Sequence, residues 1–394
     1  MLRVEDLRTI EELNSVSGQW DRLLEQSLTP CHAMSWDWIS NWLNVYLQNR
    51  AILCLAVYDD DRLVGLAPFW VEKKRSFLLF GVRILKLIGS EEVCGDHTDL
   101  IVHRKNSVAI CGAIWERLFG ELGREWDIWE YNSIPSNSKV LQAFRKKSET
   151  DKRCLELALW GYIICPYIEL PSTWDEYLAS LSVNQRRAFK VSSESMSQAG
   201  EVQLRLCENS QDLASFMQTH IELHRKSWID RGHQGAFETK TFREFHMKYA
   251  LSLLSTGQLF LCNLELNGTP VASLYGFVYG RVLYYYLLGV DRSAVPKASI
   301  GRVLMGRCIE EAIRRGYSRF DFLRGFEEYK YDWTDLEQRE LLSSFYNRSI
   351  GAVAFILRQF ISKFGRQVIN VILGDKTATV KRMLGGKTRK QVTA

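Results

Sequence analysis

Residues 289–333, GVDRSAVPKASIGRVLMGRCIEEAIRRGYSRFDFLRGFEEYKYDW, read as the end of a strand, a turn, a helix, a second strand and a polar exit. The turn carries Pro296, and the helix opens on Ser299, Ile300 and Gly301. A helix that starts directly after a strand points bare backbone N–H groups, and the positive end of its dipole, at whatever lies in front of it. That is a cradle for a phosphate or pyrophosphate. The second strand, Phe320-Asp321-Phe322, alternates, so Asp321 faces away from both rings. Tyr329 and Lys330 then supply a polar pair at the mouth of a cleft.

Working outward, the same element order occurs twice. Leu259–Leu266 and Pro270–Tyr279 flank Asn267-Gly268, a strong hairpin signal, and a strand (Val282–Val290), a helix (Ser299–Arg315) and a strand (Arg319–Leu323) follow. In the first half, Ile52–Tyr58 and Leu63–Val71 flank Asp59-Asp60-Asp61. Strand character at Phe77–Ile88, a helix over Ser107–Leu122, a strand at Trp126–Tyr131 and a helix at Asn137–Lys147 complete the echo. The repetition points to duplication of one α/β unit. Between the copies, Trp174–Leu181 and Asn184–Gln198 read as inserted helices. Val202–Leu206 is a short strand, and Asp212–Ile229 and Thr241–Leu254 have helical apolar spacing. The expected fold is α/β: two tandem units, each a mixed, mostly antiparallel sheet flanked by helices, with a helical insertion before the second. The expected boundaries are 1–166, 167–348 and 349–394.

Composition narrows the function. At 46% hydrophobic and 25% charged residues, the chain is an ordinary globular protein. Nine Cys occur without CxxC pairs, which reads as free thiols in a reducing compartment. Met1–Ser15 is polar and acidic rather than signal-like, so a cytoplasmic address is expected. Residues 348–394 hold ten Lys/Arg and one acid, a charge of +9, which leaves −4 on the rest of a chain of net +5. Basicity thus belongs to the tail, and a DNA groove across the body is excluded. A helix from Gly351 has an apolar stripe that includes Val353, Ile356, Leu357, Phe360, Ile361 and Phe364. It reads as a packed helix, or as a membrane-surface helix whose basic tail touches anionic lipid.

The ordered motifs LHRKSWIDRG, PVASLYGF, YYYLLGVD, SIGRVL, AIRRGY and FDFLRGFEEYKYDW resemble the acetyltransferases associated with bacterial cellulose and exopolysaccharide synthesis. That family lies within the GNAT superfamily and is related to the Fem-type peptidoglycan ligases. The likeness covers about Trp174–Trp333, and the first half resembles the family's degenerate GNAT-like half more loosely. It implies an acetyl- or acyl-CoA co-substrate with its pyrophosphate on the backbone of Ser299, Ile300, Gly301, Arg302 and Val303. It also implies a thioester carbonyl polarised by the strand at Leu288, Gly289 and Val290. The chain departs from the usual GNAT pattern in having Ser299 in place of a Gly and Pro296 in place of Gln/Arg. SVNQRRAFK resembles the Fem-type segment that contacts a nucleotide-linked phosphate, which makes Arg186 and Arg187 candidates beside Trp228.

The implied reaction is N-acyl transfer to an amine on a sugar, nucleotide-sugar or peptide-like acceptor. The alternatives are a Fem-type ligase using aminoacyl-tRNA and a non-catalytic module of an exopolysaccharide assembly. Lys330 would stabilise the oxyanion and Tyr329 would protonate the leaving group. Asp321 and His224 are the candidate bases, the latter because free imidazole titrates near neutrality. Cys94, Asp96, His97, Asp99 and His103 have no familiar metal-ligand spacing; they read as a substrate-side loop or a plain turn, and no metal is expected.

Overall fold

The computed structural model describes residues 2–75, 81–229 and 232–358. In the first half, β1 (Leu2–Leu7), α1 (Ile10–Ser15), α2 (Ser17–Glu25) and α3 (Trp36–Tyr46) precede the hairpin β2 (Ala51–Asp59) and β3 (Arg62–Arg75). Then follow β4 (Gly81–Leu87), β5 (Ile101–Val102), α4 (Ser107–Phe119), β6 (Ile128–Pro135), α5 (Lys139–Thr150) and the long β7 (Cys154–Glu169). The inserted helices are α6 (Trp174–Ser180) and α7 (Val183–Ala199). The second half runs β8 (Val202–Leu206), α8 (Ser210–Ile229), α9 (Lys240–Ser255), β9 (Leu259–Leu266), β10 (Thr269–Tyr279) and β11 (Val282–Val290). It closes with α10 (Ile300–Arg314), β12 (Arg319–Asp321) and β13 (Glu337–Asn347).

All thirteen strands belong to one sheet, ordered β1-β2-β3-β4-β6-β13-β7-β12-β11-β10-β9-β8, with β5 on β3. Among the described residues two pairs run parallel, β4 with β6 and β11 with β12. Each half thus contributes five strands ending in a parallel pair, and the two sets mirror one another about β13–β7. The closing strands are exchanged. β7 leaves the first half to pair with β12, and β13 leaves the second half to pair with β6. Neither β7 nor β13 was expected from the sequence. Tyr167, the expected changeover, lies inside β7 and pairs with Asp321.

Local chemistry accounts for the elements that the sequence does reveal. Asp60, Asn267 and Gly268 take the positive φ that tight hairpins demand (53°, 50° and 77°). Thr9, Thr173 and Ser182 each start a helix with a reciprocal capping box. At α7, Ser182 Oγ accepts the Gln185 N–H at 3.3 Å while Gln185 Oε1 accepts the Ser182 N–H at 2.8 Å. Ser182→Ala should therefore cost about 1 kcal/mol. Urea unfolding would show this as a lower midpoint at unchanged slope.

The halves share a core. Trp38 of α3 is fully buried and sits edge-on to Phe245 and Tyr249 of α9, both at 5.0 Å. Its indole N–H donates to Gly89 O at 3.0 Å. No helix among the described residues is long and apolar enough to cross a membrane. A helix occupies 350–358. Phe360, Ile361, Phe364 and the basic tail lie outside the described residues.

Candidate active site

In the second half β11 and β12 part after a short parallel stretch, which leaves a wedge between them. β11 stays on β10 as far as Val290 but pairs with β12 only over Val282–Tyr284. The β10/β11 register slips between Tyr275 and Gly276, leaving Tyr286 as an extra residue. This bulge sends Tyr286 and Leu287 into the core shared with the first half, while Tyr285 and Leu288 pack towards α10. Gly276 permits it: a Cβ there would lie 2.4 Å from Tyr284 O.

The wedge-facing edge of β11 is covered by α8. Asp291 N–H bonds Val271 O of the β10 side at 2.8 Å, so alternate groups at Leu288 and Val290 face the wedge. Val290 N–H donates to Ser227 Oγ at 2.7 Å, and that oxygen also lies 2.9 Å from Val290 O. His224 Nδ1–H donates to Leu288 O at 3.0 Å, which leaves Nε2 to accept the Ala236 N–H at 3.2 Å. Gly289 lets α8 come this close, since a Cβ there would meet His224 N at 2.4 Å. His224, with Trp228 one turn on, therefore fastens α8 to the strand through Nδ1 and to the segment that follows α8 through Nε2. Asp321 is level with Tyr284, four residues down β11 from Leu288, or about 13 Å at 3.3 Å per residue. The structure does not bring His224 and Asp321 together.

At the helix end, Ile300 and Val303 are core residues at 2% and 1% exposure. Their N–H groups bond Ala298 O and Ser299 O, both at 3.1 Å, while the Arg302 N–H bonds Ser299 O at 3.0 Å, so of the five expected cradle amides those of Ser299 and Gly301 are the ones that face a ligand. Ser299 makes no side-chain cap. Arg302 Nη2 is 2.7 Å from Asp332 Oδ2, and a Cβ on Gly301 would meet only Val290 and Leu288, at 3.5 Å or more. At the exit, Tyr329 and Tyr285 hydroxyls are 3.0 Å apart, bridging the arms of the wedge. Lys330 is buried and donates to Arg324 O at 2.7 Å, with Glu327 Oε2 at 2.9 Å.

Asp321 does face away from Phe320 and Phe322, which pack towards α10. It meets His97 of the first half: Oδ1 is 3.3 Å from His97 Nε2 and accepts the Leu323 N–H at 2.9 Å, while Oδ2 pairs with Arg319 at 2.9 Å. His97 Nδ1 is 2.6 Å from Glu340 Oε1 on the exchanged strand β13. Asp96 holds Arg324 through its Oδ2 and the Arg324 N–H at 2.9 Å, and through an ion pair of the side chains. Burial raises the Asp321 carboxyl, yet His97, Arg319 and the Leu323 amide hold it below its usual value. Burial likewise opposes charge on His97, but Asp321 and Glu340 outweigh it and raise the imidazole well above its usual value. Asp321 is thus a saturated anion and His97 a buried cation between two carboxylates. His97, Cys165 and Glu340 come together here from three distant segments. The Asp-His run hinted at His97, but nothing local marked Glu340 or Arg324.

The Arg pair separates. Arg186 donates to Leu178 O, Ala179 O and Leu181 O, closing the C-terminus of α6. Arg187 lines a groove of about 870 Å³ between α7 and α10, with Trp174, Phe189, Lys190 and Arg307.

Residues 183–331 match the acetyltransferase (GNAT) domain family. No curated protein matches the chain. Among solved structures, FemX superposes with a TM-score of 0.60 at 11% identity, covering 91% of this chain and 99% of FemX. A conserved protein of unknown function from Bacteroides thetaiotaomicron gives 0.50 at 13% identity, covering 88% and 100%. The C-terminal domain of a putative lysylphosphatidylglycerol synthetase from Agrobacterium fabrum gives 0.50 at 10%, covering 88% and 96%. At such identities the likeness is one of fold. The second half thus matches a GNAT-type domain, within a two-unit α/β architecture.

Proposed function

We propose that the second unit transfers an acyl group to an amine, with the donor in the wedge between β11 and β12 and the acceptor approaching from the first unit. The bulge at Tyr286 carries this reading, because it ends the parallel pairing and opens the wedge against a polar exit. An amine attacking an acyl carbon builds negative charge on the carbonyl oxygen, and the proton that the amine sheds must reach the leaving group as the old acyl bond breaks. The Lys330 ammonium, held by Arg324 O, is positioned for the first task. The Tyr329–Tyr285 hydroxyl pair is positioned for the second. Asp321, saturated and below its usual pKa, holds the exit in place rather than taking a proton.

Acetyl- or acyl-CoA is the donor that the domain family implies, and it supplies an activated acyl carbon when bound. The start of α10 offers a phosphate oxygen the N–H groups of Ser299 and Gly301, since those of Ile300, Arg302 and Val303 already bond carbonyls. The edge of β11 does not fit a pantetheine arm as folded, since Ser227 and His224 already bond it, so no step is derived through CoA. That capping favours a second reading in which the donor is an aminoacyl ester of tRNA, as the Fem-type resemblance implies. The acceptor would be an amine on a sugar, nucleotide-sugar or peptide-like compound used in exopolysaccharide or envelope assembly.

Thermal-shift titration separates the donors, because a ligand that binds only the folded state raises the melting temperature by mass action. A shift with acetyl-CoA that Arg302→Glu abolishes supports the first donor; a shift with charged tRNA alone supports the second. No shift with either overturns acyl transfer in favour of an interaction module. With the donor identified, Lys330→Met should lower kcat about 100-fold or more, with the melting temperature followed in parallel.

A further inference from the structure

The first unit has its own wedge, at the position that mirrors the donor wedge of the second. β4 and β6 stay parallel only over Ile84–Lys86 and Ile128–Glu130. Beyond them lies a cavity of about 290 Å³ lined by Lys86, Glu91, Glu130, Asn132, Ser133 and Arg324 over apolar Leu87, Ile163 and Leu342. It has room for roughly ten waters at about 30 Å³ each, the scale of one monosaccharide rather than a nucleotide.

The charges are unevenly shared. Lys86 is buried and meets three carboxylates, Glu72 at 2.8 Å, Glu91 at 2.5 Å and Glu130 at 3.3 Å, and Lys74 also takes Glu72 at 2.8 Å, which leaves one carboxylate in surplus, shared by Glu91 and Glu130. Arg324 is neutralised by Asp96 and reaches Ser133 Oγ at 3.0 Å. Asn132 Oδ1 accepts the Ser343 N–H at 3.2 Å, and its Nδ2 has no partner among the described residues. The wall therefore offers surplus negative charge at Glu91 and Glu130, fixed donors at Asn132, Ser133 and Arg324, and an apolar floor. A hydroxyl both donates and accepts, so such mixed lining satisfies several at once, while the surplus carboxylate suits one ammonium.

We propose that this cavity recognises the acceptor as a polyhydroxylated primary amine, an amino sugar, with its ammonium at Glu91 and Glu130 and its hydroxyls on Asn132, Ser133 and Arg324. Arg324 links the cavity to the donor side, because its carbonyl oxygen holds Lys330. The inference rests on the amine-acyltransfer reading, and direct binding tests it separately from catalysis.

Titrate the full chain, without donor, with glucosamine, glucose and N-acetylglucosamine, following saturation-transfer NMR and calorimetry. Glucosamine should bind at least about 10-fold tighter than the two neutral sugars, a difference of about 1.4 kcal/mol. Glu91→Gln should erase that preference; Glu91 is half exposed, so the variant should fold. Asn132→Ala should weaken all three sugars together. Equal binding of glucosamine and glucose, no saturation in the millimolar range, or an unchanged preference in Glu91→Gln would each overturn the proposal. Glucosamine binding without acyl transfer would leave the cavity standing and sink the function. Transfer to other amines without glucosamine binding would do the reverse.

Discussion

His97→Ala should cost about 3–5 kcal/mol at pH 6, because it leaves two buried carboxylates without their shared cation. Asp321 and Glu340 are 1% and 0% exposed, so water cannot replace the imidazolium. The penalty should depend on pH with a definite sign. His97 is raised in the fold, so its contribution is fully present below the unfolded value of about 6.5 and is lost as pH rises through the folded value. Asp321 is lowered, so its share is present above about 3.9 and lost as pH falls. Glu340 is raised by burial and works in the same direction as His97. At pH 6 both favourable windows are open. Denaturant unfolding of wild type and variant at pH 6 and pH 9.5 should show the gap narrowing at the higher pH. An equal gap at both would mean that His97 is neutral in the fold.

Trp38→Ala should cost about 3–5 kcal/mol, since it empties a fully buried site and drops the bond to Gly89 O. Its location gives the test more reach than the magnitude. Trp38 belongs to the first half, but Phe245, Tyr249 and Phe277 around it belong to the second. Calorimetry of the variant should therefore show one transition moved to lower temperature. A second transition left at the wild-type temperature would show that the shared core does not couple the halves.

The sequence revealed elements whose signals are local. Asn267-Gly268 set a hairpin, Ser182 and Gln185 set a helix start, and the alternation of Phe320, Asp321 and Phe322 set which way a carboxylate points. Two tandem α/β units with helices inserted between them were legible for that reason. The exchanged strands were not. β13 carries Glu340, Ser343 and Ser344 as buried polar residues, and β7 is interrupted by Gly161 and Pro166, so neither shows clean two-residue alternation. The site divided the same way. Tyr329 and Lys330 were visible as a pair on one turn, whereas Asp321 is held by Arg319 two residues back on its own strand and by His97, which lies 224 residues upstream. His224 and Arg186 bear side chains that suit chemistry, but backbone carbonyls claim them, and sequence spacing does not report that competition.

The exchange of β7 and β13 has a consequence for the order in which the protein can be built. During synthesis the first half emerges with β6 lacking its neighbour, and that neighbour, β13, is made only when residue 347 has been added. Until then β6 is an open sheet edge and β7 lacks its longest pairing. The nascent chain must hold an unfinished template for more than two hundred residues, from Pro135 to Asn347, longer than a domain of ordinary size. A truncation just before Glu337 should thus damage the amino-terminal half more than the GNAT-like half beside it.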